Sequence, residues 1–282
     1  MGLLAAREDP ASLLRGEQVL VKPNCVSSSR QLSATRAGTL EAVLEFIARY
    51  DPRRIILGEG SAEDTLQAFR NFGYLEVAER YGAEVLDLNR DRAVSITIYD
   101  REGRPRKVPV ARTALESVRV SVALPKTHDT VIITATVKNL AVGAIQRPHK
   151  WTIHQGYPVI NVNIALLAQK LLPHLAVIDG HVGMEGDGPV AGAPVEHRMA
   201  LAGLDPLAVD AICAHLMGFD PWEIGYLVHA ARLGLGEIDL KRIEVVGTAR
   251  EKTCRPYRPH PGYIKQLDWQ APPELMSLLK AG

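Results

Sequence analysis

Apolar positions along the chain fall into short runs that alternate with longer stretches of helical period. Residues 18–21 are an apolar run halted by Pro23, which cannot donate to a sheet ladder and so belongs at a strand's end. After a polar loop at 24–33, Leu40, Val43, Leu44 and Ile47 recur at helical spacing and predict an amphipathic helix over 35–50, with Thr35 or Ala34 near its start. The pattern then repeats, with a β-branched run at 54–57, a small-residue loop at 58–62 and a helical stretch at 64–72 ended by Gly73. A second helical segment at 75–81 leads into a strand at 84–88, and 94–99 alternates like a strand with one wet face. Residues 100–107, with Gly103, read as a charged hairpin turn.

A buried strand is expected at 118–124, terminated by Pro125 and Lys126. Residues 135–145 read as a helix or a mixed segment, 147–156 as a polar loop carrying histidines, 161–172 as a helix, and 175–178 as a strand opening into a glycine-rich loop that reaches Gly192. The last third holds a strand at 199–204 and helices at 206–217 and 221–233, each headed by Asp-Pro as N-cap and first helical residue. A final strand is expected at 243–246, and the tail after Thr248 as an extended wrap closed by a helix at 273–279. This alternation predicts an α/β fold: a largely parallel, mixed central sheet flanked by helices, in one body or two subdomains. The expected divisions are a preface at 1–17, an α/β domain at 18–247 and the C-terminal wrap at 248–282.

Charge narrows the functions. With 33 basic and 32 acidic residues the formal charge is +1, so no global field recruits nucleic acid or an anionic membrane, and anion binding must be local. Aromatics make up 5% of the chain and no basic run is interleaved with them, which argues against nucleic acid. Cys25, Cys213 and Cys254 are isolated and odd in number, as in a reducing compartment. Arg7, Glu8, Asp9 and Pro10 stand where a signal peptide's apolar core belongs, and no stretch approaches a membrane span, so cytoplasmic residence is expected.

Four polar loops fall at the carboxyl ends of predicted strands, where open parallel sheets bind ligands. They are Lys22-Pro23-Asn24, Gly58-Glu59-Gly60-Ser61, Pro125-Lys126-Thr127-His128 and the loop from Asp179 to Pro189. Each lysine beside a proline offers a compact charge and three donors to a carboxylate or phosphate. The Gly58–Ser61 loop suits a backbone anion nest, although Glu59 repels an anion there unless a metal or a lysine balances it. Asp179, Glu185 and Asp187, spaced by Gly183, Gly186 and Gly188, suit Mg²⁺ or another divalent ion, or supply an acid and a base. His128, His149 and His154 are candidates for proton transfer or ligand contact.

The chain resembles the DUF362 family of uncharacterised proteins. The resemblance rests on Val19-Leu20-Val21-Lys22-Pro23-Asn24, Gly58-Glu59-Gly60-Ser61, Leu124-Pro125-Lys126-Thr127-His128, Val137-Lys138-Asn139-Leu140 with Gly143, the Asp179 to Pro189 loop, and Asp205-Pro206 with Asp210. It adds Lys138 and Asn139 to the candidate site. Some members of the family carry ferredoxin-like iron–sulfur clusters, but three isolated cysteines exclude an internal four-cysteine cluster here, so a redox role needs a separate partner chain.

The preferred expectation is an enzyme acting on a small carboxylated or phosphorylated metabolite. Its expected catalytic residues are Lys22, Lys126, His128, Lys138, Glu185 and Asp187, with Asp179, Glu185 and Asp187 as metal ligands. Asn24, Gly58, Glu59, Gly60, Ser61, Asn139, His149, His154 and Gly186 are expected to contact the ligand. The alternative is a non-catalytic binding or assembly protein paired with a separate iron–sulfur redox protein. A homo-oligomer is compatible with the Pro-rich tail.

Overall fold

Near-continuous burial of the apolar runs at 18–23, 54–59, 118–123 and 175–180 decides the architecture, since both faces of their sheet must be covered. The computed structural model describes residues 9–279. In chain order the strands of the first half are β1 (Gln18–Pro23), β2 (Arg54–Glu59), β3 (Glu84–Asp87), β4 (Ala93–Tyr99), β5 (Pro105–Ala111) and β6 (Val118–Ala123). Those of the second half are β7 (Lys126–His128), β8 (Ile132–Thr134), β9 (Leu175–Gly180), β10 (Gly183–Glu185), β11 (Ala193–Val195) and β12 (Met199–Gly203). The central sheet runs β12-β9-β6-β1-β2-β3 and is parallel except for β12, which pairs antiparallel with β9 at one edge.

The sheet separates two apolar layers, because successive strand side chains point to opposite faces. Val19 and Val21 of β1 join one layer while Leu20 joins the other. The first layer is covered by α1 (Ala37–Ala48), α2 (Thr65–Asn71) and α3 (Tyr74–Arg80), which contribute Leu40, Leu44, Phe69 and Val77. The second is covered by α4 (Thr136–Gly143), α5 (Tyr157–Leu171), α6 (Pro206–Leu216) and α7 (Gly225–Arg232), which contribute Val137, Ile164, Leu207 and Leu227.

Capping explains several boundaries. Asp64 accepts from Gln67 N at 2.8 Å to start α2, and Gly73 at φ +73° separates α2 from α3. Asp205 accepts from Ala208 N at 3.0 Å, with Pro206 as the first residue of α6. The start of α4 is capped from another helix: buried Asp210 of α6 accepts from Thr136 N (2.8 Å), Thr136 Oγ1 (2.6 Å) and Val137 N (2.9 Å). Those donors lack partners within their own helix, so Asp210 fixes where the first turn of α4 sits.

Several expectations are corrected. Residues 243–246 form no strand; Val245 and Val246 are exposed and no ladder takes them up. The expected hairpin turn is shorter than 100–107, since Pro105–Ala111 is strand β5, paired with β4, and Asp100 closes the turn by accepting from Glu102 N and Arg104 N. The segment expected as a helix over 221–233 splits into a 3₁₀ turn at Pro221–Glu223 and α7, because Asp220 caps only Trp222 N. The loops after Pro125 and after Gly180 are not irregular: they contribute β7, β8, β10 and β11 to a second, four-stranded sheet in the order β11-β10-β7-β8.

Candidate functional site

The carboxyl ends of β1 and β2, strand β7 and the first turn of α4 converge on one pocket of about 300 Å³. Four basic residues line it, Lys22, Lys138, Arg147 and Lys150, against two carboxylates, Glu59 and Asp129. Lys126 lies beneath, fully buried, its amine bonded to Asn24 Oδ1 and to Ser33 O.

The lysines differ in how far their donors are satisfied. An ammonium has three. Lys22, 1% exposed, uses them on Glu59 Oε1 (2.7 Å), Asn139 Oδ1 (3.0 Å) and Pro23 O (3.1 Å). Lys150 uses them on Val142 O (3.2 Å), Gly143 O (2.8 Å) and Ile145 O, closing the C-terminal end of α4 where carbonyls lack partners. Lys138, 9% exposed, makes no hydrogen bond or ion pair among the described residues. Thr134 Oγ1, on the same wall, is buried and also without a partner.

Electrostatics follow the burial. Burial, reinforced by the charge of Lys22 and opposed by Asp129, lowers the Lys138 amine to about 8. Burial, with the charge of Lys138, lowers Lys126 to about 7, and burial lowers Lys150 to about 7 against the pull of Glu59. His128 is lowered to about 3 by burial and by Lys138, so its imidazole is neutral at physiological pH. Its Nδ1 lies 3.1 Å from Thr130 N and 2.9 Å from Asp129 Oδ1.

The anion nest expected over Gly58–Ser61 is filled from within. Glu59 Oε1 accepts from Gly60 N at 2.7 Å, Glu59 Oε2 accepts from Cys25 N at 2.9 Å, and Ser61 N turns to Thr65 Oγ1. Lys22 supplies the balancing charge that Glu59 demanded. Close packing also depends on glycine here. A Cβ on Gly143 would lie 2.2 Å from Lys22 Cε, and one on Gly60 would lie 2.7 Å from Gly143 O.

Of the expected residues, Lys22, Asn24, Glu59, Gly60, Ser61, His128, Lys138, Asn139 and His154 line the pocket. Gly58 instead packs under Leu20, and His149 is exposed outside the lining. The three carboxylates expected to bind a divalent ion do not converge. Asp179 accepts from Arg36 Nε and Nη2, both at 3.1 Å, and from Thr39 Oγ1 at 2.8 Å, fastening β9 to the start of α1. Glu185 accepts from Arg258 N at 2.9 Å, and Asp187 faces His260 at 3.7 Å, so both hold the C-terminal wrap. Gly186, at φ +72°, lies against the Arg258 guanidinium in the same contact. Among the described residues no group of three or more His, Cys, Asp and Glu side chains is placed to hold a metal ion. Pro189 is the one residue of that loop in the lining.

Sequence reasoning missed Arg147, Lys150, Trp151, Asp129 and Thr134. A signal existed in the run Arg147-Pro148-His149-Lys150-Trp151, where basic and aromatic residues crowd directly after α4. Trp151, 73% exposed, stands in the lining with its ring centroid 5.4 Å from that of His154.

The family model described as a domain of unknown function (DUF362) matches residues 19–215. A thylakoid-associated protein of Synechocystis sp. is 25% identical over 271 residues, covering 93% of this chain and 78% of the relative. Among the described residues no helix is long and apolar enough to cross a membrane.

Proposed function

Since the chain belongs to the DUF362 family, a domain of unknown function, the site's own chemistry has to supply the reading, and we propose that the pocket binds a small carboxylate or phosphate on which the protein acts as an enzyme. The observation that carries this reading is the amine of Lys138, enclosed at a cation-rich pocket with none of its donors used among the described residues. A buried ammonium without partners is costly, and an anionic ligand supplies the missing acceptors. Lys22 and Lys150, their donors already engaged, contribute field more than contact. Arg147 gives one bond to Ala62 O at 3.1 Å and keeps further N–H groups for the ligand. A volume near 300 Å³ suits a metabolite of a few carbons, at the lower end of the usual range for small-molecule sites.

Calorimetric titration with inorganic phosphate, and separately with malonate, tests the reading. One saturable site is expected at pH 7, weakened roughly 10–100-fold in Lys138→Met, the range for losing a charged hydrogen bond. Equal affinity in wild type and Lys138→Met, with the fold intact, contradicts it.

A further inference from the structure

Three of the four lysines at this site are committed to protein acceptors, and among the described residues Lys138 is not. Its place in the first turn of α4, four residues after Thr134, whose hydroxyl at the end of β8 is unpartnered among the described residues, is fixed by the cap from Asp210. Lys22, whose positive charge borders the site, opposes protonation of the Lys138 amine, while Asp129 favours it. An amine held dry beside other cations is a nucleophile as well as an anion ligand, since the neutral form is the one that attacks.

Resting on the anion reading above, we infer that Nζ of Lys138 attacks the carbonyl carbon of a small oxo acid, forming an imine, while the substrate's carboxylate lies towards Arg147. In that step Nζ adds to the carbonyl carbon and gives a carbinolamine. The C–O bond then breaks, and the carbonyl oxygen leaves as water carrying the two protons lost from Nζ. No electrons are transferred and no oxidant or reductant takes part. The lowered amine, near 8, makes an appreciable neutral fraction available at physiological pH, which an ordinary surface lysine near 10.5 lacks. Thr134 Oγ1 offers a hydroxyl on the same wall to the carbinolamine oxygen.

The test incubates the intact protein with pyruvate and sodium borohydride, which supplies the hydride that reduces any imine to a stable amine. Intact mass and peptide mapping then read the product. One carboxyethyl group on Lys138 is expected, suppressed by excess inorganic phosphate and absent in both Lys138→Met and Lys138→Arg. Lys138→Arg separates the two claims, because it keeps a cation for phosphate yet has no nucleophile of this kind: it retains part of the phosphate affinity and gives no adduct. Calorimetric binding of pyruvate without a trapped adduct overturns the imine and leaves the anion reading standing. An adduct mapped to Lys22, Lys126 or Lys150 in place of Lys138 also overturns the assignment. If neither phosphate nor pyruvate binds and no adduct forms, the anion reading falls and the imine with it.

Discussion

The lysine pocket and the loop from Asp179 to Pro189 arise from similar sequence signals, charged residues set among glycines and prolines at strand ends, yet they have opposite fates. In the loop, Asp179 meets Arg36 and Thr39, Glu185 meets the backbone of Arg258, and Asp187 faces His260. Every candidate ligand is committed to holding two parts of the chain together. In the pocket, Lys22 and Lys150 are committed in the same way, but they surround Lys138, whose donors are unused among the described residues. Residue type and spacing do not separate a structural charge from one kept for a ligand. What separates them is whether the fold brings enough opposite charge and acceptors to satisfy it.

The sharpest way to break this comparison is to remove a committed charge. Lys22→Met leaves Glu59 buried without its cation, and a loss of about 3–5 kcal/mol is expected from urea unfolding. Asp210→Ala strips three donors at the start of α4 of their acceptor, with an expected loss of about 2–4 kcal/mol in the same measurement. Lys138→Met should run the other way, gaining about 1–3 kcal/mol at pH 7 while losing phosphate affinity, as when stability and function compete. The sign follows from the lowered amine. Folded Lys138 releases its proton near pH 8 and the unfolded residue near 10.5, so the folded state binds fewer protons in that window and wild-type stability rises as pH increases through it. Lys126 and Lys150, lowered to about 7, add to the same trend, and because the charge of Lys138 helps to lower both, the difference between wild type and Lys138→Met reads Lys138 together with its effect on these two amines. Smallest of all, Glu185→Gln should change stability by less than about 1 kcal/mol and leave phosphate affinity unaltered, because its contacts lie with the tail.

Local patterning carried most of the secondary structure. The runs ending at Lys22 and at Glu59, and the caps Asp64 and Asp205, act within a few residues of where they stand, so their consequences are visible in sequence. Residues 243–246 look like a strand by composition, but a strand needs an available edge, which a one-dimensional pattern does not show. The pocket was legible where lysines follow strands, at Lys22 and Lys126, while Lys138 came from family resemblance alone. Its placement depends on Asp210, 72 residues later in number, reaching across from α6. The filled nest at Gly58–Ser61 was hidden for the same reason, since the Cys25 amide that helps to hold Glu59 arrives from another strand end.

The most direct measurement of the central claim is an NMR titration of lysines labelled by reductive carbon-13 methylation, with Lys138 assigned through Lys138→Arg. The Lys138 resonance is predicted to titrate near 8 in the free protein and at higher pH when inorganic phosphate is present, because a bound anion favours the charged amine. Titration at the value of an ordinary surface lysine, unmoved by phosphate, would contradict the account.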